Sequence, residues 1–228
     1  MSLTHAIVLF FAAMVAGAIN AVAGGGSFVT FPTLLFMGVP PVNANATNTV
    51  ALWPGQVASI GAYRRQFGGL SWKTITPLLV TGVLGGILGG WTLLKTPQTT
   101  FLRLVPWLIL SATLIFMMSG RVTRWVRRRS ASGEHHEFNT TRGVVFQTFI
   151  AFYIGYFGAG AGILILAMLL FVFSHAVRWP ETVLMVVASM IGGYFGAHFA
   201  QKTKPEYVRA IVIVIGFTLT VYFFARQM

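Results

Sequence analysis

GAINAVAGGGSFVTFPTLLFMGVPPVNANATN, residues 17–48, sets three consecutive glycines, the prolines Pro32, Pro40 and Pro41, and the asparagines Asn20, Asn43, Asn45 and Asn48 in an otherwise apolar stretch. In lipid, backbone that leaves the helix must be covered by protein or line a wet cavity. A segment so rich in helix breakers and amides is therefore where a membrane chain handles something polar.

The rest of the chain is built for a bilayer. Of 228 residues 56% are hydrophobic and 9% charged, and the mean hydropathy is +0.76, so a water-soluble fold could not cover its surface with polar groups. Apolar runs long enough to cross about 30 Å of hydrocarbon lie at His5–Ala23, Ala44–Tyr63, Trp72–Leu94, Phe101–Ser119, Gly143–Ser174, Glu181–Ala200 and Tyr207–Ala225. They are continuous and about twice the ten-residue length of barrel strands, which predicts an all-α, polytopic transmembrane helix bundle. Residues 1–228 read as one membrane domain. The first run ends in Ala21-Val22-Ala23, like a signal-peptide cleavage site, but lacks a basic start and reads as a first helix. With no cysteine there is no thiol or disulfide chemistry.

Sixteen Lys and Arg against four acids give a net charge of +12. Their placement argues against nucleic acid as a partner. Arg121, Arg124, Arg127, Arg128, Arg129 and Arg142 crowd the linker 120–142, and Arg64, Arg65 and Lys73 the linker after the second run. Such clusters orient helices with the basic side in the cytoplasm and contact anionic lipid. Taken with the spans above, this places the N-terminus in the cytoplasm.

The chain repeats itself. Trp72, Gly85, Gly86, Gly89, Lys95 and Thr96 recur at one constant offset as Trp179, Gly192, Gly193, Gly196, Lys202 and Thr203. Gly25, Leu34, Leu35 and Phe36 recur at a second offset as Gly160, Leu169, Leu170 and Phe171. The two offsets differ by about 28 residues, so the second copy lacks a counterpart to most of Met37 to Gly69. The division is repeat one 1–119, basic linker 120–142 and repeat two 143–228. The gap reflects either a lost helix or a shortened chain.

Within the first copy, Gly24, Gly25 and Gly26 break the helix and free backbone amides. Ser27 is a candidate N-cap for a short helix Phe28–Met37, about 15 Å long, which reads as a re-entrant half-helix. Free amides at a helix N-terminus attract an anion, and broken helices at mid-membrane are a recurrent transporter device. Asn43, Asn45, Thr47 and Asn48 would form the facing wall, holding an anion's oxygens without a buried cation. Alternatively these side chains cap the helix and bond to neighbours. Asn20, one turn before the glycines, joins the candidates. In the second copy, Gly158, Gly160 and Gly162 of GYFGAGAG offer similar backbone, as a site or as a packing groove. The glycines of 82–90 and 192–196 read as close-packing faces, pairing Trp72–Leu94 with Glu181–Ala200.

The glycine run, Pro32, and the pattern of Gly38, Pro40, Ala44, Thr47 and Asn48 resemble the sulfite-exporter TauE/SafE family of membrane permeases, as do the basic linker and GGYFGAHFAQKTKPEYVRAIVIVIG at residues 192–216. That resemblance spans nearly the whole chain. It implies a four-plus-four helix bundle in the bacterial inner membrane that moves small sulfur-containing anions such as sulfite or organosulfonates.

The expected binding set is Asn20, Gly24, Gly25, Gly26, Ser27, Asn45, Thr47, Asn48, Gly158, Gly160 and Gly162. No metal, cofactor or catalytic residue is expected. With no Asp or Cys, no HExxH, and Ser174-His175 at a helix end, an intramembrane enzyme lacks its parts. A non-transporting assembly subunit is the competing reading, and a homo-oligomer is compatible with either. Glu181, three residues after Arg178, reads as a local ion pair rather than a proton relay, and His198 as structural. Uncoupled anion flow driven by membrane potential follows, worth about 2.3 kcal/mol per charge per 100 mV.

Overall fold

The computed structural model describes residues 2–63, 72–131, 140–158, 176–200 and 205–227. Among them all regular structure is helical: α1 (Leu3–Val22), α2 (Ser27–Phe36), α3 (Pro41–Tyr63), α4 (Trp72–Lys95), α5 (Gln98–Ala131), α6 (Thr140–Tyr156), α7 (Trp179–Ala200) and α8 (Pro205–Gln227). Each expected apolar run meets one of these helices, the run Gly143–Ser174 only as far as Tyr156, its residues 159–174 lying outside the described residues. Gly160, Gly162, Leu169–Phe171, Ser174-His175, Lys202, Thr203, Arg64, Arg65, Glu134 and Glu137 lie outside the described residues.

Among the described residues four stretches are long and apolar enough to cross a membrane, Leu3–Val22, Gln98–Met118, Trp179–His198 and Glu206–Arg226. Their outward faces suit lipid: Ile7, Phe11 and Val15 on α1 and Ile211, Val214 and Val221 on α8 are exposed large apolar side chains at helical spacing. The interior is aromatic, with Phe31 edge-on to Phe101 and Phe157 at centroid distances of 6.4 and 5.5 Å.

Glycines set the helix pairs. A Cβ at Gly192 would strike the Met14 carbonyl, one at Gly196 would strike Ala18, and one at Gly17 would strike Ser189, so α1 and α7 touch backbone to backbone. Gly85 meets Thr148 and Ala151, Gly89 meets Phe152 and Tyr156, and Gly155 meets Gly86, which clamps α4 on α6. The expected partnership of α4 with α7 is thus corrected: the small-residue faces are used, but each lies against a different helix. α5 packs on α8, and α3 lies along α7.

These contacts also fix direction. Met14 and Ala18 climb α1 as Gly192 and Gly196 climb α7, while Asn43, Thr47 and Ala51 climb α3 beside Ala176, Arg178 and Ser189. So α1, α3 and α7 run the same way. α3 and α5 start together, where Gln98 Oε1 accepts from the Val42 amide at 2.8 Å. α5 then runs toward the basic linker. α1 therefore begins at the end of the bundle where α3 and α5 begin.

The linker 120–142 is not wholly a linker. α5 continues to Ala131 and spans 34 residues, because Gly120 alone does not stop a helix whose arginines and apolar residues sustain it.

Candidate functional site

α1 ends at Val22 and the chain turns through Gly24 and Gly25, with φ of +79° and +92°. L side chains rarely adopt these values. Gly26 is pressed so closely on the Ala16 carbonyl that a Cβ there would collide with it. The expected start of α2 shifts by one residue: Gly26 is the N-cap and Ser27 the first helical residue, without a side-chain cap. Ser27 fails as a cap because its hydroxyl is spent elsewhere, donating to the Gly158 carbonyl at 3.1 Å.

The amides of the turn are mostly committed. Asn20 Oδ1 accepts from the Gly26 amide at 2.7 Å, and the Gly24, Phe28 and Val29 amides bond the Ile19, Gly25 and Gly26 carbonyls. The Gly25 and Ser27 amides find no acceptor among the described residues.

α3 opens at Pro41, whose missing N–H costs nothing at a first helical position. Its polar side chains face inward, with Thr47 and Asn48 fully buried. Asn48 Nδ2 donates to Ser27 Oγ at 3.0 Å, and its Oδ1 accepts from the Thr30 hydroxyl. Asn45 Nδ2 donates to the Tyr156 carbonyl at 3.0 Å. Asn43 Nδ2 donates to the Ala176 carbonyl at 2.8 Å, and Thr47 Oγ1 accepts from the Arg178 amide at 2.9 Å. A Cβ at Gly158 would collide with the Thr49 hydroxyl.

The structure thus brings Ser27, Asn48, Asn45 and Gly158 into one polar cluster. Asn20 and the three glycines adjoin it through Gly26. Thr47 turns instead to the start of α7. Of the two alternatives for the asparagines, the bonding to neighbours is what these contacts display, and the neighbours lie at the ends of other helices. Sequence reasoning missed Thr30, Thr49 and Gln98, whose Nε2 donates to Asn43 Oδ1 at 2.9 Å. The helical spacing of Ser27 and Thr30 could have found Thr30, whereas nothing local points to Gln98.

Glu181 and Arg178 form the expected pair at 3.4 Å, on one carboxylate oxygen only. The other, Oε2, is buried with no hydrogen-bond partner.

Spanning helices packed around a short broken helix and a sealed polar cluster define a multi-pass membrane protein. By sequence match over residues 9–175 and 165–223, the chain belongs to the sulfite exporter TauE/SafE family. A probable membrane transporter protein of Haemophilus influenzae is 26% identical, covering 93% of this chain and 92% of its own length. Probable membrane transporter protein YfcA of Escherichia coli K12 is 26% identical over 92% of this chain and 86% of its own. A Sinorhizobium relative, probable membrane transporter protein ORF9, is 23% identical over 93% and 90%. These alignments run to 241, 239 and 245 positions, longer than this chain, so each relative has residues for which it has none. No solved structure matches.

Proposed function

We propose that the chain transports small sulfur-containing anions, of the sulfite or organosulfonate type, across the bacterial inner membrane. The observation that carries this reading is the buried cluster of Ser27, Thr30, Asn48 and Gly158 beside the Gly24–Gly26 turn. There the Gly25 and Ser27 amides find no partner among the described residues, at the positive end of α2. With their amides engaged, the asparagines act as a frame that holds the turn open rather than as the main donors. Weak, neutral donors suit a site that must also release its ligand. Family membership and the relatives' printed names support the transporter class.

The same proposal covers architecture. The chain is an internal duplication with a shortened second repeat, and the two copies are inverted. Trp72 and Trp179 each open a helix. Gly85 and Gly89 meet α6 as their counterparts Gly192 and Gly196 meet α1, so each copy's first helix packs on the other copy's glycine helix. α4 runs opposite to α7, as an axis in the membrane plane requires. The extra residues in the relatives' alignments agree with a shortened copy. If basic linkers face the cytoplasm, the N-terminus is external.

Flux of labelled sulfite or taurine in proteoliposomes tests the reading. Uptake above protein-free vesicles is expected, abolished by Asn48→Ala and by Ser27→Leu. Unchanged flux in both variants overturns the site, and no flux of any sulfur anion favours the assembly-subunit reading.

A further inference from the structure

We propose that Glu181 is a proton-binding site linked to anion occupancy, an inference that rests on the transport reading. Glu181 is 7% exposed, in the first turn of α7 within a spanning-length helix. It is the one buried acid among the described residues. An ionisable side chain inside a membrane bundle is costly and marks function unless fully paired. Glu181 is not fully paired. Arg178 reaches Oε1 alone, with its own side chain 52% exposed, and Oε2 is buried without a partner. An ionised carboxylate with a dry, empty oxygen is poorly compensated. A proton on Oε2 removes the charge without moving a helix.

The surroundings leave few other charges to answer it. α7 packs against α1 and α3. The one titratable side chain of α1 is His5, exposed near its start, and the described side chains of α3 carry none. Arg178 on the same turn is the remaining charge among the described residues. The half-exposed guanidinium marks where water, and hence a proton, reaches the pair from the face at which α7 begins.

Linkage to the anion site runs through Arg178. Its amide donates to Thr47 Oγ1, and its carbonyl accepts from the Thr182 hydroxyl and amide at 2.8 and 2.9 Å. Thr47 adjoins Asn48 in sequence. An anion arriving at the Asn48 cluster is repelled by an ionised Glu181 and tolerated by a neutral one. Proton and anion therefore bind together, one for one, with the proton taken from and returned to water. This replaces the uncoupled flow that the sequence led us to expect.

Infrared titration of the full-length protein in lipid decides the matter without any substrate. A protonated-carboxyl band that grows as pH falls is expected in the difference between the native protein and E181Q, above the shared background of Glu134, Glu137 and Glu206, and E181D should retain a displaced band should E181Q fail to assemble. Absence of that difference band overturns the proposal. Sulfate and methanesulfonate, whose own charges are constant, serve as binding probes. Their affinity should weaken by about tenfold per pH unit on the alkaline side in the native protein and be flat in E181Q. Equal pH dependence in both proteins overturns the linkage. Failure of every anion to bind would count against the transport reading, and the infrared band would still decide the proton site.

Discussion

The first glycine break and the second are furnished very differently. At Gly24–Gly26 the chain has left-handed glycines, a brace from Asn20, a ten-residue helix and a polar partner helix in α3. At the end of α6 the described backbone stops at Phe157 and Gly158. The Tyr156 and Gly158 carbonyls there are received by Asn45 and Ser27 from the first half. One set of amides and hydroxyls thus serves both breaks. On the proposed duplication, the α3 of the first half would serve a single site by reaching across to the other half.

The largest effect that could break this comparison concerns the glycine pairs beneath the two breaks. Gly192→Leu and Gly85→Leu both drive a side chain into a neighbouring backbone. Each should cost more than about 3 kcal/mol, read as loss of monodisperse protein in detergent. Tolerance at one position and not the other would break the equivalence of the two helix pairs.

Next comes Asn48→Ala, which removes a buried hydrogen-bond partner from both Thr30 and Ser27. A loss of about 1–3 kcal/mol is expected, measured by thermal unfolding in detergent, along with loss of anion flux. Asn45→Ala frees only the Tyr156 carbonyl and should cost about 1 kcal/mol, yet it should reduce flux if the second break matters to the site. Normal flux in that variant would confine the site to the first break. Asn43→Ala, at the half-buried rim beside Gln98, should cost only about 0.6 kcal/mol and leave flux near normal.

What the sequence told of the fold was its periodic part. Spans, the Pro41 helix start and the close-packing glycines were legible, because continuous apolar runs and Gly-x-x-x-Gly spacing carry their meaning locally. Partner choice was not. The faces of Gly85 and Gly192 say that something packs closely, but whether α4 meets α6 or α7 depends on the path of the whole chain. At the candidate site, Asn20 and Ser27 were singled out by position, yet their contacts differ. Asn20 holds the Gly26 amide and Ser27 reaches the Gly158 carbonyl 131 residues away. Bonds of that range leave no local pattern. Glu181 was visible as a neighbour of Arg178, but only packing exposes its second oxygen as unsatisfied.

The return of the chain through α2 has a practical result for anyone handling the protein. Phe36 at the end of α2 stacks on Phe223 near the end of α8, and α8 runs antiparallel to α5, with Trp107 against Phe224 and Phe116 under Arg209. On the proposed topology, head and tail of the polypeptide emerge on one side of the sheetlike lipid barrier, away from the arginine-rich extension of α5. With that extension in the cytosol, a fluorescent reporter fused to either extremity should stay dark and an alkaline phosphatase fusion should be active, whereas the same reporters inserted at 132–139 should give the reverse.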